Sequence, residues 1–70
     1  MIKRTVTVTV SLSTNFQVSG RYFIDVRDTT GGANRQVTTR KTDDPRPFLR
    51  EMVETAAGMN IELTLVNETI

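Results

Sequence analysis

Ile2-Lys3-Arg4-Thr5-Val6-Thr7-Val8-Thr9-Val10-Ser11-Leu12-Ser13 is the stretch that decides the fold. Ile2, Arg4, Val6, Val8, Val10 and Leu12 share one parity, and Lys3, Thr5, Thr7, Thr9, Ser11 and Ser13 the other. A period of two places the valines on one face of an extended chain and the hydroxyls on the opposite face. Val and Thr are β-branched and suit a pleated surface. The segment therefore reads as a long strand with one face on a core and the other toward solvent.

The pattern extends downstream. Ser13-Thr14-Asn15 is a turn cluster. Phe16, Val18, Tyr22, Ile24 and Val26 then share a parity and predict a second strand, antiparallel to the first, with Gly20 marking a bulge or bend. Asp28-Thr29-Thr30-Gly31-Gly32-Ala33-Asn34 is a second turn whose glycines can supply positive φ. Gln36 to Thr42 predicts a polar third strand in which only Val37 is apolar. Such a strand suits a sheet edge, where charge discourages stray pairing.

A change of period follows. Phe48, Leu49, Met52, Val53, Ala56 and Ala57 fall at i, i+1, i+4, i+5, i+8 and i+9 and make one helical apolar stripe. Arg50, Glu51 and Glu54 face away from it. Asp43 or Asp44 is the expected cap, Pro45 the first helical residue, and Gly58 the C-terminal stop. Ile61, Leu63 and Leu65 alternate with Glu62, Thr64 and Val66 as a last strand, which Asn67 to Ile70 either extend or leave frayed.

The element order β-β-β-α-β predicts a single α+β domain over residues 1–70: a four-stranded, mostly antiparallel sheet with one amphipathic helix on one face. The helix carries the chain back across the sheet, so the last strand runs parallel to the first. Placing it beside the first gives the order 4-1-2-3, and placing it beside the third is the alternative. Thr5, Thr7, Thr9, Arg21, Asp25, Thr38, Arg40 and Glu62 are expected on the face away from the helix.

Composition bounds the function. Seventy residues make one domain, and a chain this short buries only about 60% of its unfolded surface, so a partner or a second copy would add needed stability. There is no Cys, hence no disulfide staple, which favours the cytoplasm. The start of the chain alternates instead of running apolar, unlike a signal peptide, and no segment is long enough to span a membrane. A net charge of +1 does not mark a nucleic-acid binder.

Catalytic chemistry is scarce. With neither His nor Cys, the commonest general base and the strongest nucleophile are missing, a Ser/His/Asp relay cannot be built, and zinc loses its preferred ligands. No enzyme activity, cofactor or metal is expected. The pair Asp43-Asp44 fits a helix cap better than a metal or acid/base site. The Gly31-Gly32 loop lacks the lysine and serine spacing of a phosphate cradle and reads as a hairpin tip. The Thr ladder is too short for an ice-binding array.

The sharper feature is basic: Arg35, Arg40, Lys41, Arg46 and Arg50 lie within one short span, diluted by Asp43, Asp44, Glu51 and Glu54. Three readings compete: solvated surface charge, a grip on an acidic protein surface, and phosphate contacts to nucleic acid. Aromatic interleaving is missing, since only Phe23 falls on the outer sheet face, whereas an RNA platform stacks bases on two or three rings. Phe23 is either an isolated surface aromatic or, with Val66, part of a contact patch.

The Val6-to-Leu12 alternation, the Tyr22-to-Val26 strand, the Phe48-to-Ala57 helix and the Ile61-to-Leu65 strand together resemble two kinds of small mobile-element protein. One is the β-β-β-α-β module of HicB-type antitoxins, which usually add a DNA-binding segment for which this chain has no room. The other is the set of phage-encoded anti-CRISPR and related anti-defence proteins. The resemblance covers nearly the whole chain as a pattern and carries no shared motif. It implies a non-enzymatic inhibitor or adaptor that binds another protein through the basic edge, the hairpin tip or an open strand edge. A small nucleic-acid-binding protein and a structural domain that dimerises through an edge strand are the alternatives.

Overall fold

The computed structural model of the chain describes residues 3–12 and 21–68. Its elements are β1 (Thr5–Leu12), β2 (Tyr22–Asp28), β3 (Arg35–Thr42), α1 (Arg46–Gly58) and β4 (Glu62–Glu68), with a 3-10 turn at Thr30–Gly32. The expected turn at Ser13 to Asn15, the Phe16 to Val18 part of the second strand, the bend at Gly20, the first position at Ile2 and the last two residues lie outside the described residues.

The four strands form one sheet in the order β3-β2-β1-β4. β1 pairs antiparallel with β2 (Val8 opposite Val26, Val10 opposite Ile24) and parallel with β4 (Val6 opposite Leu63, Val8 opposite Leu65). The last strand therefore lies beside the first, the arrangement preferred above. β3 pairs antiparallel with β2, with a register irregularity between Val26 and Arg27.

The alternation in β1 becomes burial. Val8 and Ile24 are fully enclosed, Val10 and Val26 nearly so, and Ala56 is the buried residue of the helix. Val6, Tyr22, Phe48, Leu49, Met52 and Leu63 pack around this cluster. Val37, by contrast, is 62% exposed, and all of β3 except Thr42 is solvated. The core thus lies over β1, β2 and β4, with β3 as a polar outrigger.

Four local expectations need correction. Arg40 and Thr38 lie on the helix side of the sheet, because they pair with Ile24 and Val26, whose side chains are in the core. The helix begins at Arg46, with Pro45 as the flanking residue and no side-chain cap; Asp44 Oδ1 instead accepts the Arg46 N–H at 3.1 Å, and Asp43 Oδ1 accepts the Arg21 N–H at 3.0 Å. Gly58 stays helical, and the left-handed residue that ends α1 is Asn60 at φ 56°. There the Ile61 N–H reaches back to the Ala56 carbonyl at 2.9 Å and the Asn60 N–H to that of Ala57, a Schellman closure. Finally, the helical stripe is only partly covered: Phe48, Leu49, Met52 and Ala56 pack inward, while Val53 and Ala57 are exposed.

The turn after β2 is pinned rather than loose. Gly31 (φ 64°) and Gly32 (φ 86°) adopt the positive φ expected of them. Just before them, the Thr29 N–H donates to the Thr5 carbonyl at 3.0 Å, and the Thr5 N–H donates to Thr30 Oγ1 at 3.1 Å. The hydroxyl of Thr29 bonds those of Thr5 (3.0 Å) and Thr7 (3.2 Å). Part of the hydroxyl ladder thus serves as a clasp instead of facing water.

Candidate functional site

The five clustered cations do not converge in space. Arg35 lies at the start of β3, 3.8 Å from Asp28. Arg40 spans the helix side of the sheet and stacks its guanidinium 4.9 Å over the Phe48 ring. Lys41 falls on the other side of the sheet, opposite Phe23. Arg46 and Arg50 are one helical turn apart and about half a turn around from Phe48, so they occupy the far flank of α1. Arg46 is held by Asp44 through two contacts, Nε to Oδ1 at 2.9 Å and Nη2 to Oδ2 at 3.0 Å. This fork keeps the Asp44 carboxyl below the usual carboxylate range and raises Arg46.

Phe23 is half-buried on the face away from the helix, between Ser11 of β1 and Lys41 of β3. Val66 sits on the same face opposite Thr9, diagonally across β1 from Phe23. Next to Phe23 along β2, Asp25 takes the Arg27 guanidinium at 2.7 Å on one oxygen, while its other oxygen, Oδ1, is buried without a hydrogen-bond partner among the described residues.

A concave site lies elsewhere, where the start of α1 meets the ends of β1 and β4. It is a groove of about 630 Å³ with Val10, Tyr22, Leu49 and Leu65 on its apolar walls and Asp43, Asp44 and Arg46 on its rim. Its origin follows from the fold. α1 enters after the Thr42-to-Pro45 connection, whose polar groups bond one another: the Asp44 N–H donates to Thr42 Oγ1 at 3.2 Å. Pro45 and Leu49 line the groove on the helix side. Apolar walls with a few charged groups at the mouth suit the anchoring of an apolar side chain. Sequence reading assigned Leu49 and Tyr22 to the core; no spacing signal marks the gap between them.

Among the described residues, no helix is long and apolar enough to cross a membrane. No family model matches the chain, and no curated protein or solved structure is significantly similar to it.

Proposed function

We propose that the chain is a non-enzymatic protein-binding module, an inhibitor or adaptor of the kind phages encode against host defences, acting in the cytoplasm. The groove at the start of α1 carries this reading. Its apolar walls (Val10, Tyr22, Leu49, Leu65) offer a seat for a partner's apolar anchor, and the Asp44–Arg46 fork at the mouth offers directional hydrogen bonds. The small α+β fold, in the order that anti-CRISPR-like proteins resemble, supports it as analogy. Nucleic-acid binding is the weaker reading, because the cations are dispersed over both sheet faces and one helix flank and two of them are paired with acids.

The test begins with a partner captured from host lysate and then purified. Arg46→Glu is expected to weaken its affinity at least tenfold, whereas Lys41→Glu on the opposite face leaves it unchanged. Unaltered affinity in Arg46→Glu and in Arg40→Glu would remove both the groove and the basic edge from consideration. Titration with single- and double-stranded nucleic acid at low salt, where phosphate contacts are strongest, is expected to show no binding.

A further inference from the structure

We propose that β4 is the pairing edge of a symmetric dimer, in which two copies of the chain join antiparallel into one continuous eight-stranded sheet. Four observations converge on it.

First, the two sheet edges are built differently. β3 carries Arg35, Arg40 and Lys41 and a register irregularity, devices that deter pairing. β4 (Glu62-Leu63-Thr64-Leu65-Val66-Asn67-Glu68) has no Lys, Arg or Pro and runs beside β1 without a register shift. Second, its backbone is presented outward. The Glu62 N–H donates to the Arg4 carbonyl at 3.0 Å, so it points at β1. Peptide groups alternate in direction along a strand, so Leu63 and Leu65 turn their N–H and C=O away from β1, and no strand of the described residues receives them.

Third, apolar side chains are exposed along this edge, Leu65 and Val53 on the helix face and Val66 on the other. Leu65 is 52% exposed, Val66 36% and Val53 46%. Val53 follows Leu49 by one helical turn, and Leu49 lines the groove together with Leu65, so Val53 lies on the β4 flank of α1. The half of the helical stripe that the single chain leaves bare is thus the half next to β4.

Fourth, β4 can pair with itself antiparallel without opposing like charges. With the two-fold axis at Thr64, Leu63 stands opposite the partner's Leu65, Glu62 opposite the partner's Val66, and Thr64 opposite the partner's Thr64. Leu63 and Leu65 are the outward-bonding residues, so the two Leu–Leu pairs supply four backbone hydrogen bonds. Their side chains share the helix face with Val6 and Val8, so both pairs extend the cores. Moving the axis to Leu65 would set Glu62 against the partner's Glu68 twice, and like charges directly opposed oppose pairing. A second copy placing β3 on this edge would bring a strand with an irregular register to it. The strand itself therefore selects another β4.

The chain has no Cys, so engineered ones report register cleanly. Thr64→Cys puts two thiols on directly opposed Cα atoms of a non-hydrogen-bonded pair, within disulfide reach. Light scattering on the unmodified chain is expected to give twice the monomer mass, and Leu65→Lys to halve that mass while circular dichroism is retained. Under mild oxidation, Thr64→Cys is expected to cross-link quantitatively, while Thr38→Cys on β3 stays monomeric. A strict monomer at the highest soluble concentration overturns the proposal without recourse to any variant. Cross-linking through Thr38→Cys with none through Thr64→Cys overturns it as well. Loss of a captured partner in Arg46→Glu with the dimer intact separates this interface from the groove.

Discussion

The two edges of the sheet, β3 and β4, are equally remote from its centre and have opposite characters. β3 is solvated along nearly its whole length, and its most notable side chain, Arg40, reaches back over Phe48 to touch the helix. β4 has helix α1 beside it and contributes Leu63 to the packing around Val8. One edge is finished by cations and irregularity; the other is regular and equally exposed except at Leu63, with Glu62 and Glu68 at its ends and Leu63, Leu65 and Val66 between them. A sheet of this size can hold one edge in water only by making it polar, and the polar residues that do so remove it from the core. The cost is that three strands and one helix must supply nearly all the burial.

The largest test of this asymmetry is a pair of truncations. Val8→Ala, in β1 between β2 and β4, deletes two methyl groups from a fully buried site. At ~0.8 kcal/mol for each buried carbon plus a term for the cavity, it is expected to cost about 2–3 kcal/mol by urea denaturation. Thr38→Ala, at the corresponding row of β3, is expected to stay within about 0.5 kcal/mol. Similar losses at both positions would mean that β3 carries as much of the fold as the central strand β1. A smaller effect is expected at the entry to β4. Asn60 holds a left-handed backbone, so Asn60→Ala is expected to cost about 1 kcal/mol, read from the same denaturation curve, whereas Asn60→Gly keeps the Schellman closure.

The smallest effect concerns pH at the β3 end. The N–H and hydroxyl of Thr30 hold the Asp28 carboxyl below its ordinary value, with Arg35 and Arg4 adding to the shift. A carboxylate whose folded pKa is depressed contributes stability that is full above its unfolded pKa and is lost as pH falls through the folded one. Asp28→Asn should therefore lower stability at neutral pH slightly and flatten its decline in the acid range. The check is thermal melting across that range, where an unchanged acid slope would show that Asp28 does not contribute.

Most of the architecture was legible in the sequence because it rests on period. The Val6-to-Leu12 alternation, the Tyr22-to-Val26 parity and the helical spacing from Phe48 each report a face directly, and together they lead to the observed strand order. What escaped depends on rotation between elements. Parity along β3 is internally clear, but which parity faces the helix depends on the turn at Thr30–Gly32, so Arg40 was assigned to the wrong side. The five cations are close in sequence yet separated by a strand reversal of side and half a helical turn. The groove was invisible for a similar reason, since it is a gap between two segments each correctly read as core-facing. Asp44 showed the right chemistry one residue early, bonding the first helical N–H from outside the cap position.

The clasp between Thr29, Thr30 and Thr5 carries a consequence for the order in which the molecule assembles. β1 precedes the other described strands but receives one of its two neighbours, β4, only after β2, β3 and α1. Until then one side of β1 is an open template, and pairing across so long a stretch of chain is slow. The threonine clasp forms earlier, as soon as the turn after β2 exists, and it grips the very residue where the β1–β4 ladder will begin. It therefore acts as a bookmark, holding the register of β1 while the place for the final strand stands vacant.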